Sequence, residues 1–223
     1  MCEHFDRDYD EDYEDLADDC EMEKEKYMMK KMMMTLYFSF YQNMVMAMQK
    51  RRRIVMRIIT YSTKINRENN LTELVKEKAY NYKTENNHLD CAEKIASMVC
   101  DLFELHIAAE EYVFLLALDT KCRILGIFEV GHGTVNACLL HTREIMIRNL
   151  LCGASAFIVV HNHPSGEVYL SKEDISTTKR LFEAGRLIGI ELLDHIVIGR
   201  KEKSGSYGYA YYSMKEQGLL TTV

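Results

Sequence analysis

Paired cysteines are missing from this chain. Its seven cysteines, Cys2, Cys20, Cys91, Cys100, Cys122, Cys138 and Cys152, are scattered, and no C-x-x-C occurs among them. That removes the usual cysteine-based zinc frameworks, so any metal must rest on histidine and carboxylate. An odd, dispersed set without a signal-peptide pattern leads us to expect reduced thiols and a cytoplasmic protein. A basic excess is missing too. Lys and Arg number 28 against 34 Asp and Glu, a formal net charge of -6, which argues against a general nucleic-acid binder. The zincin string H-E-x-x-H is absent, as are the H-x-E and P-C-x-x-C strings of the zinc deaminases. No internal repeat is found. A clean membrane span is lacking as well: the apolar run after Lys31 has roughly the minimum length. It is interrupted by Gln42 and Asn43 and has basic residues on both sides, which assigns no orientation.

What remains is ordinary globular material: 223 residues, 48% hydrophobic and 28% charged, enough for one domain with an extension. The first 69 residues differ from the rest. "DRDYDEDYEDLADDCEMEKEK" is an acidic tract with too little apolar content to fold alone. "MMKKMMMTLYFSFYQNMVMAMQKRRR" follows and reads as an amphipathic or poorly ordered helix. Its basic end, residues 50–53, is a solvated run or a contact for an acidic surface. From Asn70 the pattern is that of a compact domain, so the expected division is an extension over 1–69 and a domain over 70–223.

Within that domain "LTELVKEKAYNYK" fits a strand or a helix, its alternation favouring a strand, and "LDCAEKIASMVCDLFELH" has helical spacing. "YVFLLALD" and "CRILGIFEVG" are β-rich runs on either side of a turn. "TREIMIRNLLCG" reads as a helix ending at Gly153. "SAFIVV" is nearly all apolar, as a buried strand is. "SKEDISTTKRLFEAGRLIG" is a helix capped by Ser171, and "IELLDHIVIG" is another strand. Alternating strands and helices predict an α/β fold layered around a mostly buried central sheet. The tyrosine-rich "YGYAYY" is expected to cover the sheet edge.

The chemistry gathers at "HNHPSGEVYLSKED", directly after the buried strand. His161 and His163 stand at i and i+2, so an extended backbone projects both imidazoles to one side. The chain's single proline, Pro164, holds the preceding residue in that extended pose. Asp174, in the first turn of the next helix, completes a His₂Asp set with a fourth position open for water, the pattern of a catalytic zinc site. Taken separately, Ser171 to Asp174 is only a capping box and a histidine at a strand end only structural. The joint spacing H-x-H-P-x6-S-x2-D is far harder to reach by accident.

This pattern resembles the JAMM motif, also called MPN+ or JAB, of zinc metalloproteases. "AEEYVFLLALDTK", "GTVN", "TREI", "TKRLFEAG" and "GIELLDHIVIG" bring residues 71–220 closer to the RadC-like branch. The resemblance implies a JAB/MPN-type α/β domain, a central mixed sheet flanked by helices with a cytidine-deaminase-like architecture. It implies zinc on His161, His163 and Asp174. It also implies Ser171 as the hydroxyl that polarises the substrate carbonyl or steadies the intermediate, and Glu111 as the catalytic glutamate. The residues ahead of the domain show no helix-hairpin-helix pattern. The irregular acidic and Met-rich extension stands there instead, which weakens a carried-over role in DNA repair.

The expected function is therefore zinc-assisted hydrolysis of a peptide or isopeptide bond in a protein or peptide substrate. The rival readings are a nucleic-acid-associated accessory protein with a structural zinc site and an inactive scaffold. Net charge disfavours DNA, and no ligand is missing from the set. Asp194 and His195 are expected either to orient the ligands from behind or to be satisfied core residues. His132 and His141 are given no role.

Overall fold

A computed structural model describes residues 11–48, 54–84, 89–133, 141–203 and 206–221. The basic residues 50–53, Cys2, Cys138 and the last three residues of "GTVN" lie outside these. Contacts divide the chain into two units, residues 1–52 and 53–223.

In the first unit the acidic tract from Glu11 and the Met-rich stretch form one helix, α1 (Glu11–Met48). Glu, Lys, Met and Ala are strong helix formers, and no Gly or Pro interrupts them. The expected amphipathic helix is a helix, but it is not amphipathic across its width. At 3.6 residues per turn, Met28, Met29, Met33, Met34 and Phe38 point round the whole circumference. Charge and apolarity are segregated along the helix instead. Among the described residues no helix is long and apolar enough to cross a membrane.

The second unit is one mixed sheet of seven strands: β1 (Ile54–Ile65), β2 (Thr72–Thr84), β3 (Glu111–Leu118), β4 (Ile124–Gly133), β5 (Ala156–Asn162), β6 (Glu191–Lys203) and β7 (Ser206–Ser213). Their order is β2-β1-β4-β3-β5-β6-β7. β1 meets β4 in parallel and β5 meets β6 in parallel, while the remaining neighbours are antiparallel. Helices α2 (Ala92–Phe103) and α4 (Lys172–Ile188) are amphipathic, and with α3 (Thr142–Leu151) they cover its faces.

The period-two alternation of the central strands sorts their side chains into two cores. Phe114, Leu116, Ile158, Val160, Ile196 and Ile198 pack with Ile95, Ala96 and Val99 of α2. Val113, Leu115, Phe157 and Val159 pack on the other face with Ile145 of α3 and Leu181 of α4. Continued to the end of β5, the alternation turns His161 towards the α4 side and Asn162 towards the α2 side.

Three features differ from the expectations. The boundary expected at Asn70 falls in the turn between β1 and β2, and the compact unit begins at Arg53. β1 belongs to the sheet: it pairs along its length with β2, touches β4 at Thr60 opposite Ile127, and buries Ile58 in the core. The "YGYAYY" segment does not cover the edge; as β7 it is the edge strand, paired with β6 from Ile196 to Lys203. β6 carries an extra residue at Leu193, since Leu192 opposes Phe157 while Asp194 opposes Ile158. This bulge reverses the alternation, so Leu192 lies in one core and Ile196 in the other. A bulge next to a site re-aims a side chain, and here the side chain is His195.

Candidate metal centre

The centre lies where β5 ends, between its last residues and the start of α4. His161 is buried in β5, and His163 is the first residue beyond the strand. The loop after His163 is pinned to β6. The His163 N–H donates to the Ile198 carbonyl at 2.9 Å, and the Arg200 N–H donates to the Gly166 carbonyl at 2.8 Å. The Arg200 guanidinium donates to the Pro164 carbonyl at 2.8 Å. Gly199 lies against this loop so closely that an added Cβ would stand 2.3 Å from the Gly166 oxygen. The chain then enters α4 through Ser171. Its hydroxyl accepts the Asp174 N–H at 3.0 Å and donates to Asp174 Oδ2 at 2.7 Å, and the Ser171 N–H donates to the same oxygen at 2.8 Å. The capping box is thus real. It also aims the Asp174 carboxylate at the histidines.

His161, His163 and Asp174 each offer one ligand atom, all within 4.8 Å of one another. The two Nε2 atoms are 3.1 Å apart, and they stand 3.3 Å (His161) and 3.5 Å (His163) from the carboxylate oxygens. His163 Nδ1 donates to the Glu167 carbonyl at 3.0 Å, which leaves Nε2 bare in the neutral ring. His161 Nδ1 is likewise engaged, by His195 Nε2 at 2.9 Å. Two ring nitrogens and a carboxylate therefore converge as acceptors on one point, which is unfavourable unless a cation occupies it.

Burial alone would push the Asp174 carboxyl up, but a proton carried by His161 or His163, together with the bond from Ser171, outweighs it and holds the carboxyl far below the usual range. The same contact with Asp174 raises the His163 imidazole against its burial, with a further contribution from Glu111. A proton serves only one pair of these groups at a time; a divalent ion serves all three. Nitrogen and oxygen ligands about 2.0 Å from a tetrahedral zinc stand about 3.3 Å from one another, close to the spacings found here. The donor set fits zinc.

Glu111 opens β3. Val113 pairs with His161 across the β3–β5 ladder, so two residues on the same alternation carries Glu111 to His163. Asn162, the buried residue between the two histidines, holds this end of β3. It accepts the Tyr112 N–H at 2.9 Å and donates to the Glu110 carbonyl at 3.0 Å, binding the backbone on both sides of Glu111. Glu110 faces the other way, paired with His132, whose ring stacks on Tyr112 with centroids 4.3 Å apart. Burial, then the charges of Glu110 and Glu129, push the Tyr112 hydroxyl up, which puts Glu129 with that same group. Glu111 is the carboxylate of the three that the structure brings to the histidines.

Of the residues considered behind the ligands, His195 is at the site and Asp194 is not. Burial pushes the His195 imidazole down to about 3, so it is neutral. Asp194 spends its oxygens on Ser213 Oγ at 2.6 Å, the Lys215 N–H at 3.0 Å and the His195 N–H at 2.8 Å. It ties β6 to β7. Sequence reasoning missed Asn162 and Thr178. Thr178 carried a faint signal, a threonine one helical turn beyond Asp174 and on its face of α4.

A family model described as "RadC-like JAB domain" matches residues 89–219, more than half of the chain. The UPF0758 protein of Alkaliphilus metalliredigens and the UPF0758 protein YsxA of Bacillus subtilis are each 42% identical over 117 residues, 52% of this chain and 47% of theirs. The UPF0758 protein of Alkaliphilus oremlandii is 37% identical over 148 residues, 66% of this chain and 60% of its own. The chain spans about half the length of the curated relatives it matches. Neither β1 nor β2 falls inside the matched family region.

Proposed function

Because the chain belongs to the RadC-like JAB domain family, we propose that it is a zinc-dependent hydrolase that cleaves a peptide or isopeptide amide bond. One observation carries this reading: the bare Nε2 atoms of His161 and His163 converge with the Asp174 carboxylate, with Glu111 beside them. Three protein donors leave a position open for chemistry, whereas a structural zinc site closes with four. Among the described residues no fourth His, Cys, Asp or Glu joins the group.

His161, His163 and Asp174 would hold the zinc, which when bound would lower the pKa of water to about 7 and so make hydroxide available at neutral pH. Glu111 takes the proton from water and passes it to the departing amine. Asn162 keeps the Glu111 backbone fixed while this happens. Ser171 aims Asp174 through its N–H and its hydroxyl; the hydroxyl serves the developing oxyanion by turning its one hydrogen away from Asp174 Oδ2, which the Ser171 N–H still holds. We place the protein in the cytoplasm, a reducing compartment to which its free Cys91, Cys100, Cys122 and Cys152 are suited. Its partner is a protein or peptide substrate rather than DNA.

The test is turnover of a peptide and isopeptide library by the zinc-loaded chain. Glu111→Gln is expected to lower it by roughly a hundred- to ten-thousandfold, as loss of a general acid-base does, with zinc retained. Glu110→Gln and Glu129→Gln should stay near the parent rate. Full turnover by Glu111→Gln, or none in Glu129→Gln, would contradict the assignment.

A further inference from the structure

We infer that Thr178, acting through His195, decides which ring nitrogen of His161 is left bare, and is thus a positioning residue for the metal centre. The inference rests on the metal reading above for its consequence, but not for its geometry.

Thr178 is fully buried on α4, four residues after Asp174. Its Oγ1 lies 2.7 Å from the Asp174 carbonyl oxygen, in hydrogen-bond contact with His195 Nδ1, and 3.2 Å from Met214 Sδ. A hydroxyl has one hydrogen to give. The Asp174 carbonyl can only accept, and the thioether is a weak acceptor, so the hydrogen goes to the carbonyl. This is the back-bond that threonine makes within helices.

The hydroxyl lone pairs then face His195 Nδ1, which must carry the hydrogen of that ring. A neutral imidazole has only one N–H, so His195 Nε2 is an acceptor. It stands 2.9 Å from His161 Nδ1, which therefore donates. The remaining nitrogen of His161, Nε2, is left without a hydrogen, and it is the one directed at His163 and Asp174.

Reversing the first bond reverses every other. If Thr178 gave its hydrogen to His195, two oxygens would face each other at 2.7 Å with nothing between them. His195 Nε2 would carry the proton, His161 Nδ1 would be bare, and an N–H would point into the metal centre, where it cannot ligate. The bulge at Leu193 makes the relay possible, because without it His195 would face α2. The relay starts at the backbone of one ligand residue, Asp174, and ends on the ring of another, His161.

The experiment compares the full-length parent with Thr178→Val, which keeps the shape and removes the hydroxyl, and Thr178→Ser, which restores it. In the metal-free proteins, ¹⁵N chemical shifts and long-range couplings of the imidazole rings report the His161 tautomer. The parent and Thr178→Ser are expected to show Nδ1–H, and Thr178→Val a mixture or the opposite form. Zinc dissociation constants from chelator competition are expected to weaken by roughly 10- to 100-fold in Thr178→Val, the usual cost of losing an outer partner of a ligand. Thr178→Ser should recover most of that. Should Thr178→Val fail to fold, His195→Leu, which removes the acceptor, is expected to show the same two changes. A folded Thr178→Val with His161 still Nδ1–H and parental zinc affinity overturns the inference, as does equal weakening in Thr178→Ser. A parent that binds no zinc refutes the metal reading instead, while the tautomer measurement still decides the relay.

Discussion

Gly199→Ala adds one methyl group, and its consequences should reach the metal centre. An added Cβ would stand 2.3 Å from the Gly166 oxygen, 2.7 Å from Val168 Cγ1 and 3.1 Å from the Gly166 carbonyl carbon. Two of these are backbone atoms that no rotamer change can move aside. To restore ordinary contact the loop must lift by about 1 Å, the scale of backbone shift that overpacking produces at a cost of roughly 1–3 kcal/mol. The same loop carries His163, through the His163 N–H to Ile198 carbonyl bond and the Arg200 N–H to Gly166 carbonyl bond. Gly199→Ala should therefore lower Tm by several degrees, at about 2–4 °C per kcal/mol for a unit of this size, and weaken zinc binding as well. Gly153→Ala is the control. Its φ of +66° strains any side chain, yet nothing lies within 4 Å of the added methyl, so it should cost about 1–2 kcal/mol without touching zinc affinity. Thermal denaturation and chelator competition on both variants decide the matter. Equal zinc affinity in the two would refute the claim that contact with β6 places His163.

Asn162→Ala should leave the Tyr112 N–H and Glu110 carbonyl without their partner and cost about 1–3 kcal/mol, read by urea unfolding; turnover should fall further than zinc content, and unchanged turnover would free Glu111 from this clamp. A chain beginning at Arg53 is expected to unfold cooperatively and keep its zinc, whereas one beginning at Leu71 lacks β1 and Ile58 and should do neither; a stable, zinc-binding chain from Leu71 would show that β1 is dispensable.

Local patterns made much of this legible. "SAFIVV" reads as a buried strand because both neighbours of β5 and helices on both faces surround it. Ser171 and Asp174 announce the start of α4 because a capping box spans only four residues. The two histidines and Asp174 could be matched because one strand end and one helix start hold all three. The rest depends on pairing between distant segments. β1 sits beside β4 although Thr60 and Ile127 lie far apart in sequence, and nothing local to residues 54–65 indicates a parallel neighbour. The bulge at Leu193 is one residue of register against β5, invisible in "IELLDHIVIG", yet it decides that His195 faces the ligands and Asp194 does not. Asn162 looks like a spacer between two histidines until β3 is laid beside it.

Metal content of the purified full-length chain, set beside that of a His161→Ala, His163→Ala double variant, decides whether these histidines hold zinc. Close to one zinc per chain is expected in the parent, and none in the double variant, its fold confirmed by circular dichroism. Stoichiometric zinc in that double variant would place the metal elsewhere, and a metal-free parent that takes up no added zinc would contradict the centre itself.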